Sequence, residues 1–126
     1  MNHTILGTAL LLTLAACGPY QKKDLIGKWE AVKVLEEGQP LAVNTREITF
    51  VFYPNSSYTF TSTLNYMESG FFSIEGRLLH TLDTLHKDAT EKAVEIDDVT
   101  RDSLKLNMQE GGRRRTLILV KKQKRG

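Results

Sequence analysis

The chain of 126 residues has no second cysteine, no unbroken apolar stretch of membrane-spanning length and no strong excess of either charge. A lone thiol leaves no disulfide to staple the fold, so stability has to come from burial and hydrogen bonding. A spanning helix needs ~20 apolar residues, and the longest uncharged apolar stretch, Ile5 to Ala16, is too short for that. The net charge of +2 is too small to point to nucleic acid as a partner. Chemical motifs are also missing. There is no His-x-x-x-His pair, no Gly-x-Ser-x-Gly setting around Ser69, Ser73 or Ser103, and no glycine-rich phosphate loop opening a helix. No catalytic residue, metal site or cofactor is therefore expected.

The distribution of charge marks out the leader. No Lys, Arg, Asp or Glu precedes Lys22, and the apolar stretch has the size of a signal h-region. It ends in Leu14-Ala15-Ala16-Cys17, which resembles the lipobox of bacterial lipoprotein signals and holds the chain's single cysteine. The n-region departs from that pattern in having no Lys or Arg. The resemblance implies a signal peptide over 1–16, a diacylglyceryl (palmitate-type) thioether on Cys17 and anchorage to the cell envelope. Gly18 stands where an acidic residue would signal retention in the inner membrane, so the outer membrane is favoured. Each buried methylene contributes ~0.8 kcal/mol, so two or three acyl chains would outweigh the roughly 1 kcal/mol per charge available from Lys121, Lys122, Lys124 and Arg125.

Residues 17–23 form a polar stretch without periodicity, expected as a tether, and 24–126 are long enough for one domain with one modest core. From Asp24 onward the chain is a succession of short β-rich runs separated by Gly, Pro, Asn, Asp and Ser, the rhythm of an all-β sandwich or barrel. Up to eight runs can be counted. Trp29 to Leu35 is the first; Ile48, Phe50 and Phe52 alternate with Glu47, Thr49 and Val51 in the second; Tyr58, Phe60, Ser62 and Leu64 alternate with Ser57, Thr59, Thr61 and Thr63 in the third. Gly70, Phe72 and Ile74 share a face in the fourth, and Leu78, His80 and Leu82 follow in a fifth. Val94 and Ile96, then Leu104, Leu106 and Met108, then Thr116 to Val120 supply the rest. Tyr53-Pro54-Asn55-Ser56, Asp98 to Ser103 and Glu110-Gly111-Gly112-Arg113 read as turns. Over 77–92 the leucines also satisfy helical spacing, but Thr81, Thr84 and Thr90 favour strand followed by loop.

Asp24-Leu25-Ile26-Gly27-Lys28-Trp29 resembles the Gly-x-Trp signature that opens lipocalins. The later segments Ile48-Thr49-Phe50, Pro54 to Phe60, Gly70 to Gly76 and Asp102 to Leu106 are similar to the small lipocalin-like envelope lipoproteins of Bacteroidetes. The resemblance spans nearly the whole of 24–126 and implies an antiparallel up-and-down β-barrel of about eight strands, with its first and last strands paired. It also implies a cation from the end of the chain lying across Trp29; Lys121, Lys122 and Arg125 are the candidates, with a plain core tryptophan and a solvated tail as the other reading.

A barrel of this size holds side chains or one small ligand. The leading expectation is non-enzymatic binding of a small apolar molecule by Trp29, Phe50, Phe52, Tyr58, Phe60, Phe72, Leu104 and Leu106. The alternative is that these residues fill the interior and the barrel docks an envelope protein partner. Arg113-Arg114-Arg115 could serve that docking, or lie on an exposed turn whose charge blocks edge pairing. His80, Asp83, His86 and Asp88 include metal-ligand types but lack metal-ligand spacing.

Overall fold

The computed structural model describes residues 19–122. The expected signal peptide 1–16, Cys17, Lys124 and Arg125 lie outside the described residues. Nine strands follow a short helical turn, α1 (Lys22–Leu25): β1 (Gly27–Glu36), β2 (Gln39–Pro40), β3 (Thr49–Phe52), β4 (Ser57–Thr61), β5 (Met67–Glu75), β6 (Leu78–Asp83), β7 (Lys92–Val99), β8 (Ser103–Glu110) and β9 (Arg113–Lys121). Setting aside the two-residue β2, which only folds back on β1, each strand pairs antiparallel with the next, and β1 pairs with β9 to close the ring. The result is a closed eight-stranded antiparallel barrel. Each of the eight sequence-derived runs has a counterpart among its strands.

Closure follows from alternation. Trp29, Ala31 and Val34 on β1, Phe50 and Phe52 on β3, Tyr58 on β4, Phe72 on β5, Leu79 on β6, Ile96 on β7, Leu104 and Leu106 on β8, and Leu117 and Leu119 on β9 are all buried in one core. A single residue slip in any strand would turn its apolar set to solvent. Two irregularities keep the parity: β1 is bulged between Ala31 and Lys33, which exposes Val32, and β7 is irregular between Ile96 and Asp98. The β8–β9 turn has Gly111 and Gly112 at φ 59° and 79°, the left-handed pair that a type I′ hairpin demands.

Four readings are corrected. The third run stops at Thr61. Leu64 is not on its inner face but sits in a 3-10 turn (Thr63–Asn65) at φ 61° and is 94% exposed. On β6 the inward residues are Leu79, Thr81 and Asp83, so Leu78 and Leu82 face outward, beside Phe71 of β5 in the case of Leu82. The strand is decided by its pairing with β5, and leucine spacing alone could not show which face that was. The tether also begins to fold earlier than expected: Tyr20 packs on the core, and Lys22 in α1 donates to the Pro54 carbonyl at 2.8 Å. Finally, β9 is no edge. It is paired on both sides, to β1 and β8, so Arg113–Arg115 have no free edge to block.

One glycine sets strand spacing. A Cβ on Gly70 would lie 1.9 Å from the Leu82 carbonyl oxygen, so β5 and β6 can approach as they do only if this residue has no side chain. Among the described residues no helix is long and apolar enough to cross a membrane.

Candidate binding cavity

The two ends of the barrel differ, and the difference begins in the sequence around Trp29. Gly27 adopts φ 132°, and a Cβ there would meet the Lys121 side chain at 3.0 Å. The bare glycine lets Lys121, directly opposite Trp29 across the β1–β9 pair, lay its ammonium 4.8 Å from the indole centroid. On the indole's polar edge, Nε1 donates to the Leu25 carbonyl of α1 at 2.9 Å. Trp29 and Leu25 are both fully buried. Lys121 is therefore the cation across the tryptophan. Lys122 turns instead to Glu30 at 3.2 Å. This end is a plugged floor.

Above the floor, aromatic rings fill the barrel. Phe50 stacks on Phe52 at 5.2 Å, and Phe52 meets Phe72 edge-on at 4.9 Å. Offset and edge-to-face pairs of this kind contribute about 0.5–1.5 kcal/mol beyond area burial.

Toward the other end the packing stops. A cavity of about 540 Å³ opens there, with Val34, Ile48, Phe60, Val94, Met108 and Leu117 as its apolar wall. Its polar side is made by Tyr66, Glu68, Lys92 and Arg115. Of the eight residues expected to bind ligand, Phe60 lines the cavity. Trp29, Phe50, Phe52, Tyr58, Phe72, Leu104 and Leu106 lie in the packed core and do not line it. Trp29, Phe50, Phe52, Tyr58 and Phe72 fill the lower layers. Tyr58 still reaches the site indirectly, through Glu68.

Glu68 organises the polar side. It is 4% exposed and accepts hydrogen bonds from Tyr58 at 2.9 Å, Tyr66 at 2.7 Å and Lys92 at 2.6 Å. Burial pushes the carboxyl upward, but the Lys92 ammonium and the two phenols outweigh it, and the group is held below the usual carboxylate range. The phenols respond in the opposite sense. Burial and the Glu68 carboxylate raise Tyr58, while the hydrogen bond to Glu68, followed by partial burial, pushes Tyr66 up to about 12.

A second buried acid braces the loop after β6. Asp83 accepts from the backbone N–H of Ser69 at 3.2 Å and of Leu85 at 2.9 Å, and pairs with His86. Burial opposes the Asp83 charge, but the His86 contact and the two backbone donors prevail, so its carboxyl is also lowered. The His86 ring in turn stacks on Tyr66 at 5.6 Å, tying this loop to the cavity wall. His80 lies apart, between Glu75 and Glu91. Among the described residues, no three His, Cys, Asp or Glu side chains gather as metal ligands would.

The arginine triplet divides by parity. Arg113 and Arg115 both pair with Glu36, at 3.0 and 2.6 Å, and the two guanidiniums hold that carboxyl low. The Arg114 backbone N–H donates to Glu37 at 2.6 Å. The Arg115 Nε–H is buried and has no acceptor among the described residues.

No family model matches the chain, and no curated protein sequence matches it. Among solved structures it is similar to a lipocalin-like protein from Bacteroides uniformis, with a TM-score of 0.59 over 79% of this chain and 99% of that one. The fold is lipocalin-like. At 16% identity the likeness is one of fold, and the lipocalin-like barrel acquires its site from its own residues. Sequence reasoning missed Glu68 and Lys92 and took Arg115 only as part of a docking or turn triplet, although each is signalled by alternation carried one step further. Glu68 shares the inward parity of Gly70 and Phe72, Lys92 that of Val94, and Arg115 that of Leu117. Polar residues at inward positions toward one end of a barrel mark its open end.

Proposed function

We propose that the chain is a non-enzymatic binding protein that holds one small, largely apolar molecule in the cavity at the open end of its barrel, and that it is anchored to the cell envelope by lipid on Cys17. The observation that carries the reading is the cavity itself. Its volume of about 540 Å³ lies in the ~300–1,000 Å³ range of small-molecule sites, which are mostly apolar with a few placed polar groups. The anchor is compatible with this. Pro19 to Leu25 approach the barrel at the Trp29 floor, opposite the cavity, so a tether there leaves the mouth unobstructed.

Titration calorimetry of the chain carrying Cys17→Ser with dodecanol, a neutral apolar probe, tests the binding. Val94→Trp fills the cavity from its wall and should weaken dodecanol at least about tenfold, with unchanged circular dichroism. Binding that survives a filled cavity would sink the reading. For the anchor, Cys17→Ala should abolish the acyl mass and release the protein from membranes; a variant that stays membrane-bound overturns it.

A further inference from the structure

We infer that the cavity selects a molecule with an apolar body and one anionic, oxygen-rich head, seated with the body against Phe60 and Val94 and the head against Arg115 and Lys92. This rests on the binding reading above and adds to it the chemical class of the ligand. The argument is a count of unspent donors. Arg115 commits one Nη to Glu36 at 2.6 Å, while its sheltered Nε–H has no acceptor among the described residues. Arg115 is about a third exposed and lines the cavity, so its uncommitted Nη is the donor that an oxyanion there would meet. Lys92 commits one N–H to Glu68 at 2.6 Å and remains about half exposed, leaving ammonium donors free.

The two cations stand on β7 and β9, with only β8 between them, and both line the cavity. The acids do not compete equally. Glu68 is buried and its oxygens are occupied by three donors. Glu110, also on the lining, is exposed on the rim, where water and salt screen it. A cationic head would meet two positive charges and find the oxygens of Glu68 already taken by three donors, whereas an anionic head meets donors already oriented by Glu36 and Glu68.

The test compares molecules with one chain and different heads on the Cys17→Ser protein: dodecanoate, dodecyl phosphate, dodecanol and dodecylammonium, each by titration calorimetry. Dodecanoate or dodecyl phosphate should bind about tenfold tighter than dodecanol, the size of one charge-assisted hydrogen bond. Whichever of the two anions binds more tightly identifies the head as carboxylate or phosphate. Arg115→Gln should erase that preference, read as the ratio of the anion's affinity to dodecanol's on the same variant, whatever happens to dodecanol itself. Lys92→Gln is the second variant, because Arg115→Gln also removes a partner of Glu36; it should reduce the preference without disturbing that pair. Equal binding of dodecanol and the anions, or tighter binding of dodecylammonium, overturns the head-group inference and leaves the cavity reading standing. If none of the four binds, both fall.

Discussion

Replacing Lys92 by Met separates the charge of the Glu68 network from its packing, and its effect should change with pH in a defined direction. Glu68 is 4% exposed and takes three donors. Hydrogen bonds to charged groups contribute about 1.5–3 kcal/mol, but Lys92 is about half exposed, so solvent screening reduces this to roughly 1–2 kcal/mol. In the wild type the Glu68 carboxyl is lowered by folding. Its stabilising contribution is thus present above its unfolded value and is lost as pH falls through the folded value. Without Lys92, burial, already the largest single influence on the carboxyl, is opposed only by the two phenols, and the folded value rises. The variant should therefore be destabilised by about 1–2 kcal/mol near neutral pH, and this deficit should shrink as pH falls toward and through the lowered folded value of the wild-type carboxyl. Urea denaturation of the two proteins at neutral pH and at about pH 3 reads the difference directly, since Asp83 and Glu36 titrate alike in both. A deficit of the same size at both pH values, or none at neutral pH, would refute the reasoning.

Two further perturbations test the barrel itself. Gly70→Ala should cost about 3 kcal/mol or more in urea denaturation, because a Cβ 1.9 Å from the Leu82 carbonyl has to push β6 away; a loss under about 1 kcal/mol would mean that β5 and β6 separate easily. Lys121→Ala should cost about 1–2 kcal/mol and Lys121→Met about half that, since Met keeps the stem over Trp29 and loses only the cation–π attraction; equal losses in urea denaturation would show that charge contributes nothing there.

Much of the fold could be read along the chain because a strand has a period of two and a one-sided core demands it. Ile48, Phe50 and Phe52, or Leu104, Leu106 and Met108, declare which face is inside without reference to any neighbour. The readings that failed are those where local pattern and pairing disagree. Leu78 and Leu82 suggested one face of β6, yet register with β5 turned the other face inward. Leu64 continued an alternation that the strand itself abandons at Thr61. Arg113 and Arg114 are exposed at the hairpin tip as the sequence suggested, but the pairing of Arg113 and Arg115 with Glu36 of β1 could not be read locally.

The cavity was the least legible feature. Seven of the eight residues expected around a ligand are apolar and do face inward, but they pack the lower layers. Whether an interior is full or open depends on how many side chains reach each level of the ring, and that depends on strand tilt and stagger, which a linear pattern does not contain.

The order of apolar and polar residues along the chain was enough to determine an all-β domain, its eight main strands, its principal turns and the glycine that accompanies Trp29, because each depends on backbone conformation and on neighbours within a few positions. Tertiary structure alone decided that Lys121 closes the floor, that Arg113 and Arg115 are tied to Glu36, and that Glu68 gathers Tyr58, Tyr66 and Lys92 beside an open cavity. These partners are brought together by ring closure and strand stagger, and both are properties of the whole sheet.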